Sequence, residues 1–207
     1  MFKKSLLALS LITLSGTALS APPVANLKVT GSIAPPTCTI NGLAEDTITY
    51  NFDISTSLFP ASGADLVVDS QSKNIEVVCD ATTYMSFIPT DPSGVGMYGD
   101  VYGLGTYGSN NAPIGYFTVD MKNATVKTSA DATATSVGIS GPEGYANTNK
   151  LVKDKPVHWA TSGTQMAEGQ IFAADFVVEP TILAAVKNNP DGVSLDGLAV
   201  LTFAFGV

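Results

Sequence analysis

Cys38, Cys79 and His158 are the side chains of this 207-residue chain best suited to ligate a metal or act as nucleophile or base. Two cysteines and a single histidine are too few for a metal site built on soft ligands. In an oxidising compartment two cysteines form one disulfide. Bridging Cys38 to Cys79 closes a loop of 79 − 38 = 41 residues, for which loop entropy gives roughly 4 kcal/mol. His158 precedes Trp159 in a run that alternates like a strand, the setting of a structural histidine. A serine nucleophile would need an elbow such as G-x-S-x-G, and none is present; "SGTQ" beside Ser162 is turn composition. Glycoside hydrolysis needs two placed carboxylates, yet none of the 18 acids stands in a distinctive context. No D-x-[DN]-x-[DN]-G calcium loop occurs, and "NNPDG" (Asn188 to Gly192) is a plain turn. Gly103 and Gly105 in "GLG" lack the G-x-G-x-x-G spacing, a following helix and a basic residue to meet phosphate. Asn123 begins a glycosylation sequon by pattern alone. The chain therefore reads as a non-enzyme without cofactor or metal.

Charge narrows the partners. The formal net charge is −8, and all ten basic residues are lysines. Without arginine and without a basic cluster, nucleic acid is excluded as a partner, since phosphate neutralisation depends on Lys/Arg. The front of the chain reads as a secretory signal peptide over residues 1–20. Lys3 and Lys4 precede an apolar run from Leu6 to Leu14, and Ala18-Leu19-Ser20 supplies small residues for cleavage before Ala21. That run is shorter than the ~20 residues a membrane span needs, and no other segment approaches that length. Cleavage removes two lysines and leaves −8 − 2 = −10.

The rest must hold these residues on strands. "ANLKVTGSI" (Ala25 to Ile33) alternates with period two, followed by Pro35-Pro36. Ile48, Tyr50, Phe52 and Ile54 alternate, as do Ile75, Val77 and Cys79. "YMSFI" (Tyr84 to Ile88), "GYFTVDM", "PVHWATS" and "IFAADFVVEP", closed by Pro180, continue the pattern. Only "TILAAVK" (Thr181 to Lys187) offers a turn or two of helix. Val193, Leu195, Gly197, Ala199, Leu201, Phe203, Phe205 and Val207 share one face of a final strand, which predicts its burial. "GVGMYGDVYGLGTYGSNNAPIGYF" (Gly94 to Phe117) breaks the rhythm. It predicts a mobile surface loop or glycine-punctuated hairpin, with exposed tyrosines as a possible contact surface. Short strands at this spacing predict an all-β sandwich.

"VTGSIAPPTCTI", "NIEVVCD", "GLG", "GYFTVDM", the lone "HW" and "VSLDGLAVLTFAF", in this order, resemble a family of exported bacterial fimbrial-like proteins, a domain of unknown function related to chaperone–usher pilus subunits. The resemblance covers most of the chain after the signal. It implies an immunoglobulin-like Greek-key sandwich of pilin type over residues 37–207, preceded by an extension at 21–36. Such a fold lacks its last strand. The resemblance implies that a donor strand, here Ala25, Leu27, Val29, Gly31 and Ile33, fills the groove of a neighbouring subunit. Leu201, Phe203, Phe205 and Val207 would then form the groove edge, offered first to a periplasmic chaperone and then, at an outer-membrane usher, to another subunit or a second copy. Periplasm, then the surface or fimbrium of a Gram-negative bacterium, is the implied location, and a minor subunit supporting adhesion the implied role. The chain departs from the pilin pattern in its short extension, its penultimate Gly206 where pilins carry an aromatic, and its long centre. A monomeric periplasmic or surface ligand-binding sandwich is the alternative.

Overall fold

The computed structural model describes residues 23–32, 34–94, 99–189 and 192–206. Residues 1–22, which include the stretch read as a signal peptide, lie outside the described residues, as do Ile33 of the expected donor strand and Val207 of the expected groove edge. The chain divides into two units, residues 1–33 and 34–207. Residues 23–32 form no regular secondary structure, so the strand expected from Ala25 onward is not formed there. Its alternation supplies a face to bury but no ladder partner, and an unpaired strand does not persist in water.

Among its described residues the unit 34–207 is all-β, with two short 3₁₀ turns, Thr56–Leu58 and Ala184–Asn188. The second overlaps the expected helical run from Thr181 to Lys187, whose first two residues instead belong to a strand. Seven strands carry the architecture: β1 (Cys38–Ile40), β2 (Gln71–Thr90), β3 (Gly115–Lys127), β4 (Gly138–Gly141), β5 (Val157–Ser162), β6 (Glu168–Ile182) and β7 (Val200–Phe205). In sheet order they run β4-β5-β2-β6-β3, with β1 and β7 also on β2.

The β2 strand joins what the sequence suggests as two strands. Ile75, Val77, Cys79, Thr83, Met85 and Phe87 all face the core in one unbroken phase. Its first half pairs with β6, from Gln71↔Val178 to Val78↔Ile171. Its second half pairs with β7, from Met85↔Phe205 to Thr90↔Val200, and with β5 at Phe87↔Val157. One long strand thus passes from one half of the sheet to the other, and the sheet curls on itself like a sandwich. The halves meet through aromatics. Phe87 lies 5.9 Å from Trp159 and 5.9 Å from Phe176, and Trp159 lies 5.7 Å from Phe172, in tilted or edge-on geometry. The Trp159 indole N–H donates to the Ala173 carbonyl at 3.0 Å.

A bulge adjusts β3. Phe117, Val119 and Met121 are buried, then Ala124 and Val126. The phase changes at Asn123, which adopts φ 54°, where the ladder with β6 shifts register. Asparagine tolerates this left-handed conformation better than most residues. The Asn123 amide donates to Asp175 at 2.7 Å, and Asn74 donates to the same carboxylate at 2.8 Å. The sequon asparagine thus has a structural role. Pro180 does not close β6 as expected. It sits inside the strand opposite Phe117, and its carbonyl accepts from Val68 N–H.

Candidate functional site

The apolar face of residues 48–54 is in place without a ladder. Ile48, Tyr50, Phe52 and Ile54 turn one way and are half-buried, while Thr47, Thr49, Asn51 and Asp53 are exposed. Yet residues 44–54 are not assigned to a strand and make no backbone–backbone hydrogen bond among the described residues. The correction to the sequence reading is specific: the period is right, the partner is missing. The segment is held at its ends and by side chains. Upstream, Cys38 and Cys79 pair directly across β1 and β2 and are disulfide-bonded, as the cysteine count predicts. Asn41 and Gly42, both at positive φ, turn the chain back (φ 50° and 83°). Downstream, Phe59 is buried. Between them the Tyr50 hydroxyl donates to the Phe176 carbonyl at 2.8 Å, and the Gln71 amide donates to the Asn51 carbonyl. Burial, with the Asp175 carboxylate nearby, pushes the Tyr50 phenol up to about 12, so it remains a donor at neutral pH.

The C-terminal segment is the facing wall. Only Val200–Phe205 is strand. Residues 193–199 are extended without a ladder and are tied by the Asp196 N–H to the Leu104 carbonyl at 3.1 Å. The expectation of a buried final strand is corrected as well. Val193, Leu195, Ala199, Leu201, Phe203 and Phe205 are all only half-buried, because β2 covers one edge of β7 and nothing described covers the other. Gly197 lies close against the floor, where a Cβ would come within 2.8 Å of the Phe117 ring and 2.9 Å of the Gly103 carbonyl.

Between the two walls runs a groove of about 1270 Å³. Its floor is apolar and includes Val77, Leu104, Ile114, Val119, Phe176 and Val178. Two half-buried, period-two apolar segments thus line a groove with an apolar floor. The charged residues lining the groove are Glu45, Asp46, Asp53 and Asp196, all acidic. Chemically the groove can bury an alternating apolar strand and satisfy its backbone on both edges, as in β-augmentation. It gathers three of the expected groove-edge residues, Leu201, Phe203 and Phe205. The residues expected to form a donor, Ala25, Leu27, Val29 and Gly31, are exposed, with Leu27 and Val29 each 97% accessible.

The glycine- and tyrosine-rich region is partly core. Tyr102 is fully buried and stacks on Phe117 at 5.2 Å, and Val101, Leu104 and Ile114 are buried. A small hairpin joins Thr106–Tyr107 to Ala112–Pro113, the glycine-punctuated form of the expectation. Tyr107 and Tyr116 are half-buried rather than displayed. Residues 95–98 lie outside the described residues. The missed residue here is Asp91, whose side chain is 2% exposed. It accepts from Gly103 N–H at 3.0 Å and Ser93 N–H at 3.0 Å, and from the Ser93 hydroxyl. Lys153 lies 3.9 Å away. Burial opposes its ionisation, but these donors outweigh burial and hold the carboxyl below its ordinary range.

His158 lies on β5 opposite Ser86 and Ser140, and burial lowers its pKa. No cluster of three or more His, Cys, Asp or Glu side chains able to hold a metal occurs among the described residues. No helix among them is long and apolar enough to cross a membrane. A disulfide without such a helix is compatible with export. Neither a protein-family model nor a curated protein matches this chain.

Proposed function

We propose that this chain is a structural subunit of fimbrial type that is completed by a strand from another polypeptide. The single observation that carries the reading is the open groove between residues 44–54 and 193–205, whose two apolar walls face each other half-buried. Isolated in water, such walls and their free backbone groups invite edge-to-edge association. Filling the groove with a strand removes both costs at once. The alternating segment from Ala25 to Gly31, exposed and unpaired, supplies a strand of matching pattern. On this reading the fold is an immunoglobulin-like sandwich of pilin type with its last strand missing. A periplasmic chaperone would hold the groove first, and an outer-membrane usher would oversee its exchange for the N-terminal strand of an incoming subunit. Periplasm and then the cell surface, with a role in adhesion, follow from the same reading.

The test is a heat-sensitive ladder. The exported protein is produced with a candidate chaperone and usher, and unboiled and boiled samples are compared on a denaturing gel. Multimers that collapse on boiling, and vanish when Ala21 to Ile33 is deleted, are the expected result. A monomer band in every lane, with the deletion merely unstable, would return residues 25–33 to their own sheet.

A further inference from the structure

We infer that the groove is matched to the N-terminal segment of a second copy of this chain, with Lys28 of the incoming copy seated over the acidic rim formed by Asp53 and Asp196. The inference rests on the donor-strand reading above and adds the identity of the donor. Along the two walls, residues 44–54 and 193–205, every charged residue is acidic. Asp46 is engaged by the Asn41 amide at 2.8 Å. Asp53 and Asp196 are exposed, line the groove and have no hydrogen bond or ion pair from a side chain among those described. From Ala21 to Thr37 the only charged side chain is Lys28.

Phase decides where that charge goes. With Leu27 and Val29 turned into the groove, Lys28 must turn out, because successive side chains of a strand point to opposite faces. An outward residue of an inserted strand lies beside outward residues of both walls, about 4.5–5.5 Å away between Cβ atoms for directly opposed pairs. Asp53 is outward on one wall, since its neighbours Phe52 and Ile54 point in. Asp196 is outward on the other, between Leu195 and Gly197. A donor carrying one cation in its outward row fits an all-acidic rim, whereas a donor with outward acids meets like charge on both sides. The match steers association and sets which donors are accepted more than it adds raw affinity.

The experiment uses the full exported chain, purified alone, and follows the initial rate at which multimers resistant to unboiled detergent form. Lys28→Glu should slow formation about tenfold at low ionic strength. The difference should shrink in ~1 M salt, where the Debye length falls to ~3 Å. Adding Asp53→Lys and Asp196→Lys to the Lys28→Glu chain should restore the rate, which an unfolded variant could not do. Leu27→Asp serves as the separate arm, since a charge on the inward row should abolish multimers in any salt. If Leu27→Asp abolishes assembly while Lys28→Glu assembles like wild type at every salt concentration, donor-strand assembly stands and the matched rim is overturned. If Lys28→Glu slows assembly but the reversed rim fails to restore it, the pairing is overturned. If the wild-type chain alone forms no multimers, recognition of a second copy is overturned, and the ladder with chaperone and usher then decides the broader reading.

Discussion

Phe87 shows how one side chain connects the closed part of the core to the open part. It touches Trp159 and Phe176 within the sandwich, and Phe203 of the groove wall at a ring-centroid distance of 5.4 Å. Phe87→Ala should therefore cost about 3–5 kcal/mol, as for other fully buried aromatics, read as a shifted urea midpoint at unchanged slope. Phe203→Ala should cost much less in the monomer, because that ring is only half-buried, and should show its main effect on assembly. Gly197 is the opposite kind of residue, needed for what it lacks. Gly197→Ala pushes a methyl into the Phe117 ring and the Gly103 carbonyl. Overpacking of this kind costs about 1–3 kcal/mol, and it should displace the C-terminal wall and slow multimer formation. At this scale the sequence is readable for burial parity and for the Cys38–Cys79 bond. Asp91 and Tyr50 were not legible, because each acts through backbone groups brought close only by folding: Gly103 N–H for Asp91, the Phe176 carbonyl for Tyr50.

At the scale of elements, the wall formed by residues 44–54 depends on its anchors. Replacing Cys38 and Cys79 by Ala should cost roughly 4 kcal/mol by loop entropy and should also loosen the wall, since β1 leads directly into it. Thermal unfolding under oxidising and reducing conditions checks this: reduction should lower the Tm of wild type toward that of the variant. Asp91 ties Ser93 and Gly103 together through its carboxylate. Its folded-state pKa is depressed, so its contribution is present above the ~3.9 of an unfolded Asp and is lost as pH falls through the lower folded value. Asp91→Asn should cost about 1–2 kcal/mol at pH 7, and the two proteins should converge in stability as the pH is taken below ~4. A gap unchanged at pH 3 would show that hydrogen-bond geometry, not charge, carries the Asp91 contacts to Ser93 and Gly103. Strand identity was largely legible from period two, as at Ile75 to Cys79 and Val157 to Trp159. Strand continuity was not. Asp80, Ala81 and Thr82 are exposed and separate the two apolar runs in sequence, but β2 runs through them because both its halves find partners in the curled sheet. Pro180 likewise reads as a stop, yet it costs the ladder only one donor.

For the whole molecule, the period-two signals at 25–33, 48–54 and 193–207 look alike in sequence, but their described residues meet three outcomes: no strand, an unladdered wall and a partly laddered wall. Periodicity reports that a segment has a face to bury; it does not say which polypeptide buries it. The groove is the sum of those unmet demands, and strand completion by a second polypeptide is the central claim. Backbone hydrogen exchange along residues 44–54 and 193–205 tests it most directly, measured on the same protein as monomer and after multimer formation. In the monomer, amides of 44–54 have no described backbone acceptor and should exchange quickly. In the multimer, amides on both walls should be slowed by orders of magnitude while those of β6 stay unchanged. Equal, rapid exchange of both walls in monomer and multimer would contradict strand completion.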